Sequence, residues 1–161
     1  MLRHLRKNVR LFSTKFSFGA SSALITNMGL IMGLNSSANA KPAIITSILV
    51  IALADNISDS FGIHVFQESE RLSRREVWFS TATNFTTRFI VSLVFVLFMM
   101  FLPIGAAICS SIIYGLLLLS LMSYIIGRDE DENPMYAVFE HLAIALAVIM
   151  LSEVVGKLIV R

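Results

Sequence analysis

Charge, cysteine and proline are what this chain of 161 residues has least of: Asp, Glu, Lys and Arg fill 15% of positions, beside one cysteine and three prolines. A soluble domain carries charge on roughly 25% of its residues, so there is too little here to cover an ordinary globular surface. The lone Cys109 excludes an intrachain disulfide, and its apolar neighbours make it small packing material. No glycine-rich nucleotide loop is present, and no GxSxG, CxxC or HExxH motif. Asp55 and Asp59 stand on one segment, whereas aspartyl intramembrane proteases place their two acids on separate helices, so the chain is not expected to be an enzyme.

Apolar residues are abundant: 56% of positions are hydrophobic and the mean hydropathy is +0.77. A globule of this size could not hide so much apolar area. Five apolar runs, 17–34, 42–66, 79–102, 104–126 and 135–155, approach or exceed the roughly 20 residues that cross a bilayer. Pro42 suits the opening turn of a helix, and Pro103 breaks runs three and four into a hairpin. The expected fold is an all-α membrane protein: one domain of five transmembrane helices over 17–161, with the lipid bilayer as partner and no nucleic acid. Before it, residues 1–16 alternate Arg3, Arg6, Lys7, Arg10 and Lys15 with apolar residues at helical spacing. That is the pattern of an interfacial amphipathic helix, though a transit peptide or the charged start of a secretory signal has the same composition.

Orientation follows the basic residues. With the N-terminus inside, nine Lys and Arg fall on the inner side, the five of the arm with Arg71, Arg74, Arg75 and Arg128. Three, Lys41, Lys157 and Arg161, fall outside, which puts the N-terminus in the cytosol. A bacterial plasma membrane and a eukaryotic internal membrane both fit.

The second run carries groups that hydrocarbon does not tolerate alone. An ionisable side chain at mid-bilayer costs at least about 2.5 to 3.5 kcal/mol and needs a partner or a wet cavity. Asp55 and Asp59 share one helix face at a spacing of four, Asn56 adds an amide oxygen, and His64 and Glu68 repeat the spacing nearer the inner end. Hard oxygens with an imidazole suit Mn²⁺ or Fe²⁺, or a proton relay. Against this, Arg88 of the third run lies at the depth of Asp59, so an Asp59–Arg88 ion pair is a purely structural alternative. His64 has its own, a bond to a backbone carbonyl. In the first run Asn27, Met28 and Met32 offer an amide and two soft thioethers, or plain apolar filling, while Gly29 and Gly33 permit close helix approach. Glu140 and His141 near the inner end of the fifth run would form an inner vestibule with His64 and Glu68. The acidic stretch 128–133 reads as a solvated loop without the spacing of a calcium-binding loop.

Two segments resemble a known family. GASSALITNMGLIMG (19–33) is similar to the first span of vacuolar iron transporters, and LADNISDSFGIHVFQESE (53–70) to their second. Trp78 and the closing EVVGKLIV (153–160) fit the same pattern. The resemblance implies five spans, a cytosolic N-terminus, and a homodimer that exports Fe²⁺ or Mn²⁺ from the cytosol in exchange for protons between its subunits, with no permanently bound cofactor. It matches Asp59 to the acid of the second-span motif and Met32 to a methionine of some members' first span. Two departures stand out. Ser22 replaces the first-span aspartate, and the cytosolic metal-binding insert is missing, leaving a short turn with Glu68, Glu70 and Glu76. Asp55 and Asp59 together would compensate for the lost aspartate. The competing expectation is a scaffold or regulatory protein of the same fold that no longer transports, its acids turned toward Arg88 and away from water.

Overall fold

The computed structural model describes residues 19–129 and 133–159, and among these every regular element is helical. The helices are α1 (Gly19–Leu34), α2 (Ala40–Ser69), α3 (Arg74–Phe101), α4 (Ile104–Asp129) and α5 (Pro134–Ile159). The amphipathic segment 1–16 lies outside the described residues. Four helices, α2 to α5, are long and apolar enough to cross a membrane. The described part of α1 is shorter, about 24 Å at 1.5 Å per residue. The bundle turns its large apolar side chains outward: Phe61, Phe101, Leu117, Phe139 and Leu158 are each more than 60% exposed. A surface of that kind needs lipid against it. This is the architecture of a multi-pass integral membrane protein.

Contacts fix the directions of the helices. Along α1 and α3 the neighbours Gly19–Asn84, Ser22–Arg88 and Asn27–Ser92 rise together, so these helices are parallel. Along α2 the partners fall as α3 rises, Ser60 with Asn84 and Asp55 with Arg88, so this pair is antiparallel. The α4–α5 pair is antiparallel too, with Gly127 beside Pro134 and Ser123 bonded to His141. The turn between α2 and α3 therefore shares one end of the bundle with the start of α1 and the α4–α5 connection.

Local chemistry explains the helix ends. Ser73 and Glu76 form a reciprocal capping box that starts α3 at Arg74, five residues before Phe79 and ahead of the apolar run. At the opposite end of α3, Lys41 Nζ donates to the carbonyls of Leu102 and Met100 at 3.1 and 3.4 Å, satisfying oxygens that the helix itself leaves unpaired. The buried positions of α2, Ile44, Ile48, Ala52, Asn56 and Ser60, recur every fourth residue. In an α-helix each such step overshoots by about 40°. A wider π-helical turn over Ile51–Asp55 absorbs the drift and keeps the whole row against α3.

Small residues set the remaining contacts. Gly29 and Gly33 of α1 pack inside the chain, against Val148, Ser152 and Gly156 of α5. A Cβ on Gly156 would collide with the carbonyl oxygen of Gly33, so the two backbones touch directly. Gly115 of α4 makes room for the fully buried Met28 in the same way. The apolar core above these contacts holds Leu24, Met28, Ile31, Ile44, Ile48, Phe95 and Met99.

Candidate functional site: a guanidinium between two carboxylates

The site is built outward from α3. Ser80, Asn84, Arg88 and Ser92 occur at intervals of four and all four are buried. One turn of helix separates each from the next, so they form a polar row on the face that α1 and α2 cover.

Arg88, near the middle of α3, is the centre of this row. Its side chain is 4% exposed, and its two terminal nitrogens divide between the acids of α2. Nη2 donates to Asp55 Oδ2 at 2.7 Å, and Nη1 donates to Asp59 Oδ2 and to Ser22 Oγ, the latter at 2.8 Å. One guanidinium thereby ties α1, α2 and α3 together. The sequence paired Arg88 with Asp59 and left Asp55 without an obvious partner; both acids are bound. The reason is geometric, since the planar fork presents two donors side by side and carboxylates one turn apart can each take one. The side chains of Asp55 and Asp59 remain 48% and 44% exposed, and each uses only Oδ2 on the arginine. Two carboxylates against one guanidinium leave one unit of negative charge when both are ionised.

Around this centre the polar side chains are mostly paired with one another. Asn56 donates to the carbonyls of Ala52 and Phe85 at 3.2 and 2.9 Å, which spends its amide nitrogen on the α2–α3 contact. Asn84 donates to Ser60 at 3.0 Å, and Asn27 donates to Ser92 at 2.9 Å and to the carbonyl of Ala23 at 2.8 Å. Nearer the turn, Gln67 donates to Ser80 at 2.7 Å. His64 bonds a side chain and no backbone carbonyl: its Nδ1 lies 3.1 Å from Thr81 Oγ1. The Thr81 hydroxyl donates to the Val77 carbonyl, so its oxygen accepts from His64 Nδ1–H. His64 Nε2 then faces Glu68 at 3.5 Å, with Trp78 edge-on at a ring distance of 4.7 Å.

Other expected members stand apart. Met32 is partly buried and packs on the apolar core. His141 bonds Ser123 of α4 at 2.7 Å and Glu140 is exposed, so the inner vestibule with His64 and Glu68 is not assembled within this chain. The helix carrying His64 and Glu68 packs chiefly on α3 and the helix carrying Glu140 and His141 chiefly on α4, which separates groups that the sequence placed at one depth. Glu153 is bonded to Lys157 at 2.6 Å. Among the described residues no three His, Cys, Asp or Glu side chains are grouped closely enough to hold a metal ion. Sequence reasoning missed Ser60, Ser80, Asn84 and Ser92; the polar interval of four along an apolar helix was the signal that could have found them.

Compared with known proteins, the chain matches no family model, no curated protein and no solved structure.

Proposed function

We propose that this protein is a transporter, not an enzyme, that exports a divalent metal cation, Fe²⁺ or Mn²⁺, from the cytosol in exchange for protons. The observation that carries the reading is the charge imbalance on α2: two half-exposed carboxylates, one turn apart at mid-helix, held by one buried guanidinium. Excess negative charge at that depth calls for a cation or a proton. Each aspartate keeps an oxygen free of Arg88, and hard oxygens are the donors that Mn²⁺ and Fe²⁺ accept. Two carboxylates are too few to hold such an ion permanently, which suits transient passage. Five spans with a cytosolic N-terminus accord with the basic residues of the described helices, where Arg71, Arg74, Arg75 and Arg128 share one end of the bundle and Lys41 and Lys157 lie at the other. A homodimer would cover the outer face of α2, where both acids are exposed, and supply a second pair of carboxylates. The small-residue face of α1 is already spent on α5, so it does not support that dimer.

A specific observation favours a second reading, a scaffold that keeps the fold without transport. Arg88 binds both acids and Ser22 at once, as a structural clasp would. Mn²⁺ flux into proteoliposomes of the purified protein, measured with an entrapped metal-quenched dye, separates the two. Flux that is lost in both Asp55→Asn and Asp59→Asn supports the transporter. A folded wild type with no flux above empty liposomes leaves the scaffold.

A further inference from the structure

Three amide side chains along the α1–α2–α3 contact each have a buried oxygen with no hydrogen-bond partner: Gln67 Oε1, Asn84 Oδ1 and Asn27 Oδ1. In each case the amide nitrogen is bonded and the oxygen is not, at successive depths along one row. A buried acceptor without a donor costs about 1–3 kcal/mol, and a single instance can be absorbed by the fold. Three in line indicate a shared donor, and water is the donor that fits oxygens spaced along a polar seam.

The seam has a direction. It begins at Gln67 and Ser80 beside the α2–α3 turn, passes Asn84 and Ser60, reaches Arg88 with its two aspartates, and ends at Asn27 and Ser92. From Ser80 to Ser92 this is about 18 Å along α3. Beyond Ser92 the same helix face turns apolar, and Phe95 and Met99 are fully buried against Met28, Ile44 and Ile48. On the turn side Gly19 packs so close to Asn84 that a Cβ there would sit 2.7 Å from Oδ1, so only glycine fits beside this amide. A groove of about 440 Å³ between α2 and α3, lined mostly by apolar side chains such as Ile57, Phe61 and Trp78, reaches Ser60, His64 and Thr81 from outside.

We propose that this seam is a hydrated half-channel: a file of water, and of the protons it conducts, running from the α2–α3 turn to the Arg88 cluster and stopped by the Phe95–Met99 plug. The polar row then has a task that its mutual hydrogen bonds do not explain. It gives the buried cluster aqueous contact with one face of the membrane and withholds the other. This goes beyond the transporter reading and does not depend on which ion is carried.

The test uses the full-length protein with Cys109→Ser, in sealed vesicles of known orientation. Ser60→Cys, Ser80→Cys and Ser92→Cys are near-isosteric reporters, with Val96→Cys as the control beyond the plug. Ag⁺, a thiol reagent close to water in size, is applied from either side, and unreacted thiol is counted after denaturation. The expected result is modification of the three serine-site cysteines from the α2–α3 turn side only, with Val96→Cys protected from both sides. Adding Asn84→Leu should slow modification at Ser92→Cys at least tenfold and leave Ser80→Cys unchanged. Protection of Ser92→Cys from both sides, access from the opposite side, or indifference to Asn84→Leu would each overturn the half-channel. Absence of Mn²⁺ flux in a protein that passes this test would defeat the transporter reading and leave the water route standing.

Discussion

The two halves of this bundle are held together by different chemistry. Helices α1, α2 and α3 meet through a buried arginine, two aspartates and a row of amides and hydroxyls. The α4–α5 hairpin meets through Gly127 against Pro134, with a Ser123–His141 bond joining the two helices. Where packing alone suffices, a membrane helix pair needs small residues and little polarity. A polar seam is therefore no requirement of the fold. Its restriction to three helices is why the proposed function is assigned to that half.

Breaking the clasp gives the largest expected effect. Arg88→Leu leaves two aspartates unpaired at mid-span and should destabilise the protein by about 3–5 kcal/mol, read from reversible unfolding in mixed detergent. Neutralising the acids in the same chain, with Asp55→Asn and Asp59→Asn beside Arg88→Leu, should recover most of that loss. If the triple variant is no more stable than Arg88→Leu, the electrostatic account of this half is wrong. Next in size is Gly156→Leu, which forces α1 and α5 apart and should cost about 1–3 kcal/mol through overpacking. Because it leaves the arginine clasp intact, it should spare Ag⁺ access along α3. Ser73→Ala removes one side of the capping box and should cost about 1 kcal/mol, with hydrogen exchange rising in the first turn of α3. The smallest effect belongs to the apolar hairpin: Ser123→Ala removes the bond to His141 and should cost about 0.6 kcal/mol, the usual value for a hydrogen bond between membrane helices. A larger loss there than in the Arg88 variant would erase the contrast between the two halves.

Much of the scaffold could be read from patterns along the chain. The apolar runs found every long helix, and Pro103 marked the α3–α4 break. The start of α3 was placed too late because the apolar run begins at Phe79, although Ser73 and Glu76 already spell a capping box in the sequence. The Asp59–Arg88 pair was legible from depth alone. The binding of Asp55 was not, because a linear depth estimate allots one partner to each charge and ignores the two-pronged guanidinium. For a similar reason depth alone could not say whether Glu140 and His141 stand beside His64 and Glu68. His64 and His141 share a depth, but depth says nothing about which helices are neighbours around the bundle.

The order of residues by itself determined that this chain makes apolar helices and puts charge at mid-span, since hydrogen bonding within a helix and the cost of exposing apolar groups are local matters. Only the tertiary structure decided which charges meet. It set α1 parallel and α2 antiparallel to α3, and it placed Asp55 and Asp59 against the two prongs of one arginine. The physical reason is that a buried charge is stabilised by atoms a few ångströms away in space, and those atoms lie up to 66 residues away in the chain.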